Sequence, residues 1–188
     1  KLASTAETCT GVTDNAGTPN TYVLIGPHDT GYGARLYMAY GVQVTGGATT
    51  VTASFSGSVV GKRCGLDEYS GNALTNALAF DTSSVGNGSG TSLDCATTPG
   101  PITPAASGEL IVVYYITNTS GVNYTNGTDY TLYNGVNPSR DRSQYRLSGT
   151  TSESAPCTID ATSNGWMAIG AAFKAPAAPN ARRGVIIV

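Results

Sequence analysis

Along most of the chain, apolar positions recur at every second residue. In Thr50–Ser56, Val51, Ala53 and Phe55 alternate with Thr50, Thr52, Ser54 and Ser56, the period of a strand with one buried and one hydroxyl-bearing face. Arg35–Val44 repeats the pattern with Leu36, Met38, Tyr40, Val42 and Val44. Glu109–Thr117 is apolar on both faces, with Leu110, Val112, Tyr114 and Ile116 against Ile111, Val113 and Tyr115, which predicts a central strand. Trp166–Phe173 puts Trp166, Ala168 and Ala172 on one side and Met167, Ile169 and Phe173 on the other. Shorter strands are predicted at Asn20–Ile25, Val59–Cys64, Leu66–Tyr69, Asp129–Tyr133 and Tyr145–Leu147. Turn residues separate them at Asp14-Asn15-Ala16-Gly17, Gly46-Gly47, Ser70-Gly71-Asn72, Asn126-Gly127 and Asn134-Gly135. No stretch carries a convincing helical period. The prediction is an all-β, two-sheet antiparallel β-sandwich.

Two stretches interrupt this rhythm. Ser83–Gly90 is rich in Gly and Ser and reads as a surface loop. Ala175–Arg183 holds two prolines and no core residues, so it reads as an extended tether reaching about 25–30 Å at ~3.1 Å per residue. Gly184-Val185-Ile186-Ile187-Val188 follows it, four strong β-formers on that tether. The expected organisation is therefore a sandwich domain over 1–174, a tether over 175–183 and a donor-type strand over 184–188.

Composition narrows the function classes. The chain has 188 residues, of which 12% are charged, and a formal net charge of −2. Phosphate binding needs clustered Lys and Arg, so nucleic acid is not an expected partner. No apolar run approaches the roughly 18 residues of a spanning helix. The 43 Ser and Thr, 24 Gly and 11 Tyr favour strands and turns. Cys9, Cys64, Cys95 and Cys157 lie far apart without a C-x-x-C pair, which reads as two disulfides formed in an oxidising compartment. Three connectivities are open, and Cys9–Cys64 with Cys95–Cys157 is the favoured one. Lys1 in place of a start methionine suggests a processed, exported chain.

The anchors Val12-Thr13-Asp14-Asn15-Ala16-Gly17, Gly46–Thr52, Glu68-Tyr69-Ser70-Gly71, Gly108-Glu109-Leu110 and Trp166–Lys174 occur in one order. Together they resemble secreted bacterial surface domains of the Ig-like or jelly-roll sandwich kind, over roughly residues 12–174. The resemblance implies that fold and an extracellular setting, with no shared catalytic residues. Such domains open with a long apolar strand before the Val-Thr-Asp turn, and Lys1–Gly11 supplies none. Gly184–Val188 looks like the absent piece. A sandwich lacking a strand has a groove with unpaired backbone groups, which a tethered strand could fill by strand addition. Filled from its own chain, the groove gives a permuted monomer; filled from the next subunit, it makes a head-to-tail contact that propagates into a filament. The groove is expected beside Val12, Leu110–Ile116 or Trp166–Phe173, with Val185, Ile186, Ile187 and Val188 as the polymerisation strand.

Catalytic chemistry has little support in the sequence. The single histidine, His28, sits in a turn-like Gly26-Pro27-His28-Asp29, and a Gly-x-Ser-x-Gly elbow is absent. Asp67 and Glu68 are adjacent on a predicted strand and point to opposite faces. Glu109 with Asp141 is the pair left for a glycosidase-type dyad. Asp14-Asn15-Ala16-Gly17 reads as an Asx-turn rather than a calcium loop. No cofactor and no metal are expected, and the protein is read as a non-enzyme. Asn87, Asn118, Asn123 and Asn126 each head an Asn-x-Ser/Thr triplet and are candidate glycosylation sites. Tyr114, Tyr115, Tyr124, Tyr130, Tyr133 and Tyr145 suggest a sugar-stacking surface. Arg140, Arg142 and Arg146 near Asp141 read as a solvated salt-bridge cluster. The expected function is an extracellular, pilus-like filament subunit joined to copies of itself by strand exchange, with glycans as further partners. The alternative is a monomeric carbohydrate-binding or adhesive module of a secreted surface protein.

Overall fold

The computed structural model describes residues 6–29, 33–59, 61–72, 79–94, 100–134, 140–149, 151–175 and 182–187. Cys95, Val188 and residues 176–181 of the expected tether lie outside the described residues. The fold is all-β, with antiparallel sheets built as a β-sandwich. Its strands are β1 (Cys9–Asp14), β2 (Val23–Asp29), β3 (Arg35–Val42), β4 (Val51–Phe55), β5 (Leu66–Asn72), β6 (Phe80–Asp94), β7 (Leu110–Thr117), β8 (Tyr124–Asn126), β9 (Thr131–Asn134), β10 (Asp141–Leu147), β11 (Pro156–Phe173) and β12 (Arg182–Ile187). They fall into two compact units, Lys1–Ala79 with Ala175–Val188, and Phe80–Lys174.

In the first unit a two-stranded ribbon, β1–β4, accompanies a four-stranded sheet of order β2-β3-β12-β5. Val51, Ala53 and Phe55 of β4 are half-buried while Thr52 and Ser54 face solvent, as the alternation requires. At the end of β1, Asp14 Oδ1 accepts the Ala16 N–H at 3.1 Å, the Asx-turn expected there. Next to it, Asn15 Oδ1 accepts the N–H groups of Thr49 and Thr50, each at 2.9 Å. β3 stops at Val42 rather than Val44 because Gln43 takes φ 56°, a left-handed turn that ends the strand. The predicted strand at Val59–Cys64 does not form among its described residues. Gly61 at φ 74° breaks the extended chain there. His28 lies in strand β2 rather than a turn, beside a register shift between Ile25 and His28.

The second unit is one six-stranded sheet of order β6-β11-β7-β10-β9, with β8 added to β11. Every residue of β7 is buried, matching a strand apolar on both faces. β11 has 18 residues and register shifts around Ser163. Its first part pairs with β8 and its last part with β7, so the bulged strand bends the sheet around a core. That core includes Ile111, Val113 and Tyr115 of β7, Trp166, Ala168 and Ala172 of β11, and Ile102, Val122, Tyr124 and Tyr130. Ser83–Gly90 is not a loop. It is the middle of β6, paired with β11 in continuous register from Ser83 to Gly88 and again, after a shift, at Gly90. Gly88 serves packing: a Cβ there would lie 2.8 Å from Trp166 Cζ2. Only a bare backbone lets the indole lie across the strand and donate to the Ser89 carbonyl at 3.4 Å.

Candidate strand-insertion site

The site begins with the shortest sequence, Arg182-Arg183-Gly184-Val185-Ile186-Ile187. β12 is flanked on both edges, by β3 and by β5, antiparallel to each. Ile186 stands opposite Tyr40 and Asp67, and Ile187 opposite Ala39 and Leu66. Gly184 and Val185 meet Val42 and Gly41 on one side and Tyr69 and Glu68 on the other. Gly41 has no room for a side chain, since a Cβ there would sit 3.0 Å from the Thr21 carbonyl oxygen and 3.1 Å from the Tyr22 ring. β12 is thus a central strand with two ladders, and without it β3 and β5 would each present a bare edge.

Burial completes the picture. Ile186 is 2% exposed and Ile187 is also buried. Ile187 closes an apolar cavity of about 130 Å³ lined by Val12, Val51, Ala53, Cys64, Gly65 and Leu66. Covering two isoleucines contributes roughly 3–6 kcal/mol gross, at 1.5–3 each. The strand-addition position expected beside Val12, Leu110–Ile116 or Trp166–Phe173 is corrected: the ladders run to β3 and β5, and Val12 touches the site only through the cavity. β12 also begins at Arg182, so the last two tether residues belong to the strand.

The other singled-out residues distribute as follows. Cys9, Cys64 and Cys157 carry free thiols in the structure. Cys9, on β1, and Cys64, ahead of β5, are close enough to interact electrostatically. Burial raises the Cys9 thiol above its ordinary value, and a backbone hydrogen bond with Gly11 works against that. Burial pushes the Cys157 thiol up to about 12. Asn87 and Asn118 are exposed. Asn123 donates its side-chain amide to Asp160 Oδ2 at 2.6 Å, and Asn126 donates its own to the Tyr130 and Gly127 carbonyls. Only the first two amides are presented without these contacts.

Four of the six tyrosines are core residues rather than a surface. Tyr114, Tyr115, Tyr124 and Tyr130 are buried. Tyr115 donates to the Ala155 carbonyl, Tyr124 to the Arg140 carbonyl at 2.6 Å and Tyr130 to the Ser154 carbonyl at 3.3 Å. Tyr133, 47% exposed, pairs with Tyr145 at 6.1 Å between ring centroids. Arg146 pairs with Glu153 at 3.8 Å. Glu109 and Asp141 sit at opposite ends of the β7–β10 ladder, where Leu147 meets Leu110 and Asp141 meets Ile116. They are about 20 Å apart at ~3.3 Å per residue, beyond the 5–9.5 Å of a glycosidase pair. Asp67 is buried and Glu68 exposed, on opposite faces as expected. The sheet order brings together a different group, Asp81, Glu109 and Lys174. Their separation along the chain left no local signal.

The chain matches no protein-family model, and neither curated proteins nor solved structures give a match.

Proposed function

We propose that the protein is the structural subunit of an extracellular filament, assembled head-to-tail by exchange of β12. The observation that carries this reading is the central position of β12, laddered on both sides by strands distant in sequence. A strand in that position is bound by the same contacts whether it comes from its own chain or from the next copy, which is the condition for domain swapping into an open chain. Closed on itself, the subunit is a monomer. Exchanged, the same ladders and the same seat for Ile186 and Ile187 become the joint. The resemblance to secreted bacterial surface domains supports the extracellular setting. There Cys9 and Cys64 would be joined as a disulfide, which would hold β1 to the segment entering β5. Glycans are proposed as partners at Asn87 and Asn118, whose side chains face outward. The protein is proposed to be no enzyme in the turnover sense.

The test compares residues 1–188 with a chain ending at Ala181, by size-exclusion chromatography with light scattering and negative-stain microscopy. Polymers from the full chain, lost on truncation, are the expected result. A 19.1 kDa monomer from the full chain under all conditions would overturn the exchange model.

A further inference from the structure

In the second unit, Lys174 follows the last residue of β11, Asp81 is the second residue of β6, and Glu109 immediately precedes β7. β11 lies between the other two strands, with Phe173 paired to Phe80 on one side and to Leu110 on the other. The three side chains therefore converge at one end of the sheet. Lys174 Nζ is 3.0 Å from Asp81 Oδ1. Asp81 Oδ2 accepts the Ala105 N–H at 2.6 Å. Glu109 is 3% exposed; its Oε1 accepts the Ala106 N–H at 3.2 Å, and its Oε2 is buried without a donor. The Asp81 charge and the Lys174 ammonium both act on the Glu109 carboxyl, so the three groups are near enough to interact electrostatically. Burial, then the Asp81 charge, raises Glu109 above its ordinary value. Burial works against the Asp81 charge, but the Lys174 ammonium and the Ala105 N–H outweigh it and hold that carboxyl low. Of the two carboxyl groups, Glu109 is therefore the one that holds a proton more readily. The Phe80 and Phe173 rings meet edge to face at 6.4 Å beside the group.

An amine held against a carboxyl, beside a second, buried acid, is the arrangement for amide formation. We propose that Lys174 Nζ and Asp81 Cγ become joined by an amide bond, with Glu109 as the proton-transfer group. Within the ion pair, a proton passes from Nζ to Asp81, leaving a neutral amine against a neutral carboxyl. The Nζ lone pair forms the N–Cγ bond. The Ala105 N–H steadies the oxygen on which charge develops. Glu109 gives its proton to the departing oxygen and takes one from Nζ, so it ends as it began. The Cγ–O bond breaks with its electron pair on oxygen, and one water leaves. The balance is an ammonium and a carboxylate giving an amide and water, with no oxidant or co-reactant. Fixed geometry supplies the drive, since well-oriented intramolecular partners reach effective molarities of about 10⁵–10⁸ M. Lys174, with 43% of its side chain exposed, lies on the solvent side where the water exits.

The position gives the bond a purpose. Asp81 and Lys174 are the second and last residues of this unit. Tension applied to the chain at Ala79 and Ala175 would run through the amide and bypass the sheet. The bond would serve a fibre under tension, but its formation does not rest on strand exchange.

Intact-mass spectrometry of the denatured full chain is the test. The wild type should fall short of its sequence mass by one water, and Lys174→Arg, which keeps the ion pair, should not. Asp81→Asn should instead lose one ammonia, because the leaving group has changed. Glu109→Gln should slow or stop the linkage while circular dichroism shows a folded chain. After trypsin, the segment Cys64–Arg140 should appear joined to Leu147–Arg182, uncut at Lys174. A wild-type mass equal to the sequence mass after prolonged incubation at neutral pH, with Lys174 cleaved normally, would mean an ordinary ion pair and would overturn the proposal.

Discussion

Replacing Ile186 by alanine probes the insertion site without altering charge or backbone. Ile186 is 2% exposed, between Tyr40 and Asp67 on the neighbouring strands. The change removes three carbons, about 2.5 kcal/mol at ~0.8 each. Incomplete relaxation of a central strand adds a cavity term, giving roughly 2.5–4 kcal/mol, within the usual range for such truncations. That corresponds to an increase of about 10²–10³ in the opening equilibrium at ~1.4 kcal/mol per decade. Leu66→Ala is the control. Leu66 lines the same cavity but is 55% exposed, so its truncation should cost under about 1 kcal/mol, as a largely exposed position does. Hydrogen-exchange mass spectrometry on peptides covering β3, β5 and β12 reads the opening locally, whether the strand is held by its own chain or a neighbour. Protection in β3 and β5 should fall together with that in β12. If Ile186→Ala and Leu66→Ala lower protection equally, or if β3 and β5 keep theirs, the central-strand account of β12 is wrong.

Three further outcomes follow from the geometry. Gly88→Ala would force a Cβ to 2.8 Å from the Trp166 indole, costing about 1–3 kcal/mol by overpacking; a lowered Tm and a shifted emission from the chain's single tryptophan check it. Tyr115→Phe strips the hydroxyl that donates to the Ala155 carbonyl and accepts from Gln144 Nε2 at 2.8 Å, leaving buried groups unpaired at about 1–3 kcal/mol, which urea titration would measure. Asp14 is held below its ordinary value of 3.8, first by the Asn20 side-chain amide and also by the Tyr22 hydroxyl and the Ala16 and Asn20 N–H groups. Its folded-state value is depressed, so its stabilising effect is complete above 3.8 and is lost as pH falls through the lower folded value. Acid melts should show a weaker pH dependence in Asp14→Ala than in the wild type, and an unchanged slope would remove Asp14 from the account.

Features that depend on neighbours along the chain were the most legible in the sequence. Alternation marked β3 and β4, and runs apolar on both faces marked β7 and the end of β11, because the two-residue period of a strand assigns faces without knowledge of partners. The Asx-turn at Asp14 was legible for the same reason, its acceptor and donor being two residues apart. Tertiary structure decided the rest. The Gly/Ser run at 83–90 looks like a loop because nothing local shows that Trp166, far along the chain, needs bare glycine to lie on. Tyr114 and Tyr115 look like surface aromatics until both faces of β7 are seen to be covered. The apolar character of Val185–Val188 was plain, but its seat was not, since β3 and β5 are distant in sequence and only sheet pairing names them. The meeting of Asp81, Glu109 and Lys174 is of the same kind. Each is an unremarkable charge in its own segment, and it is the order β6-β11-β7 that sets a lysine between two carboxyl groups and gives them a chemistry.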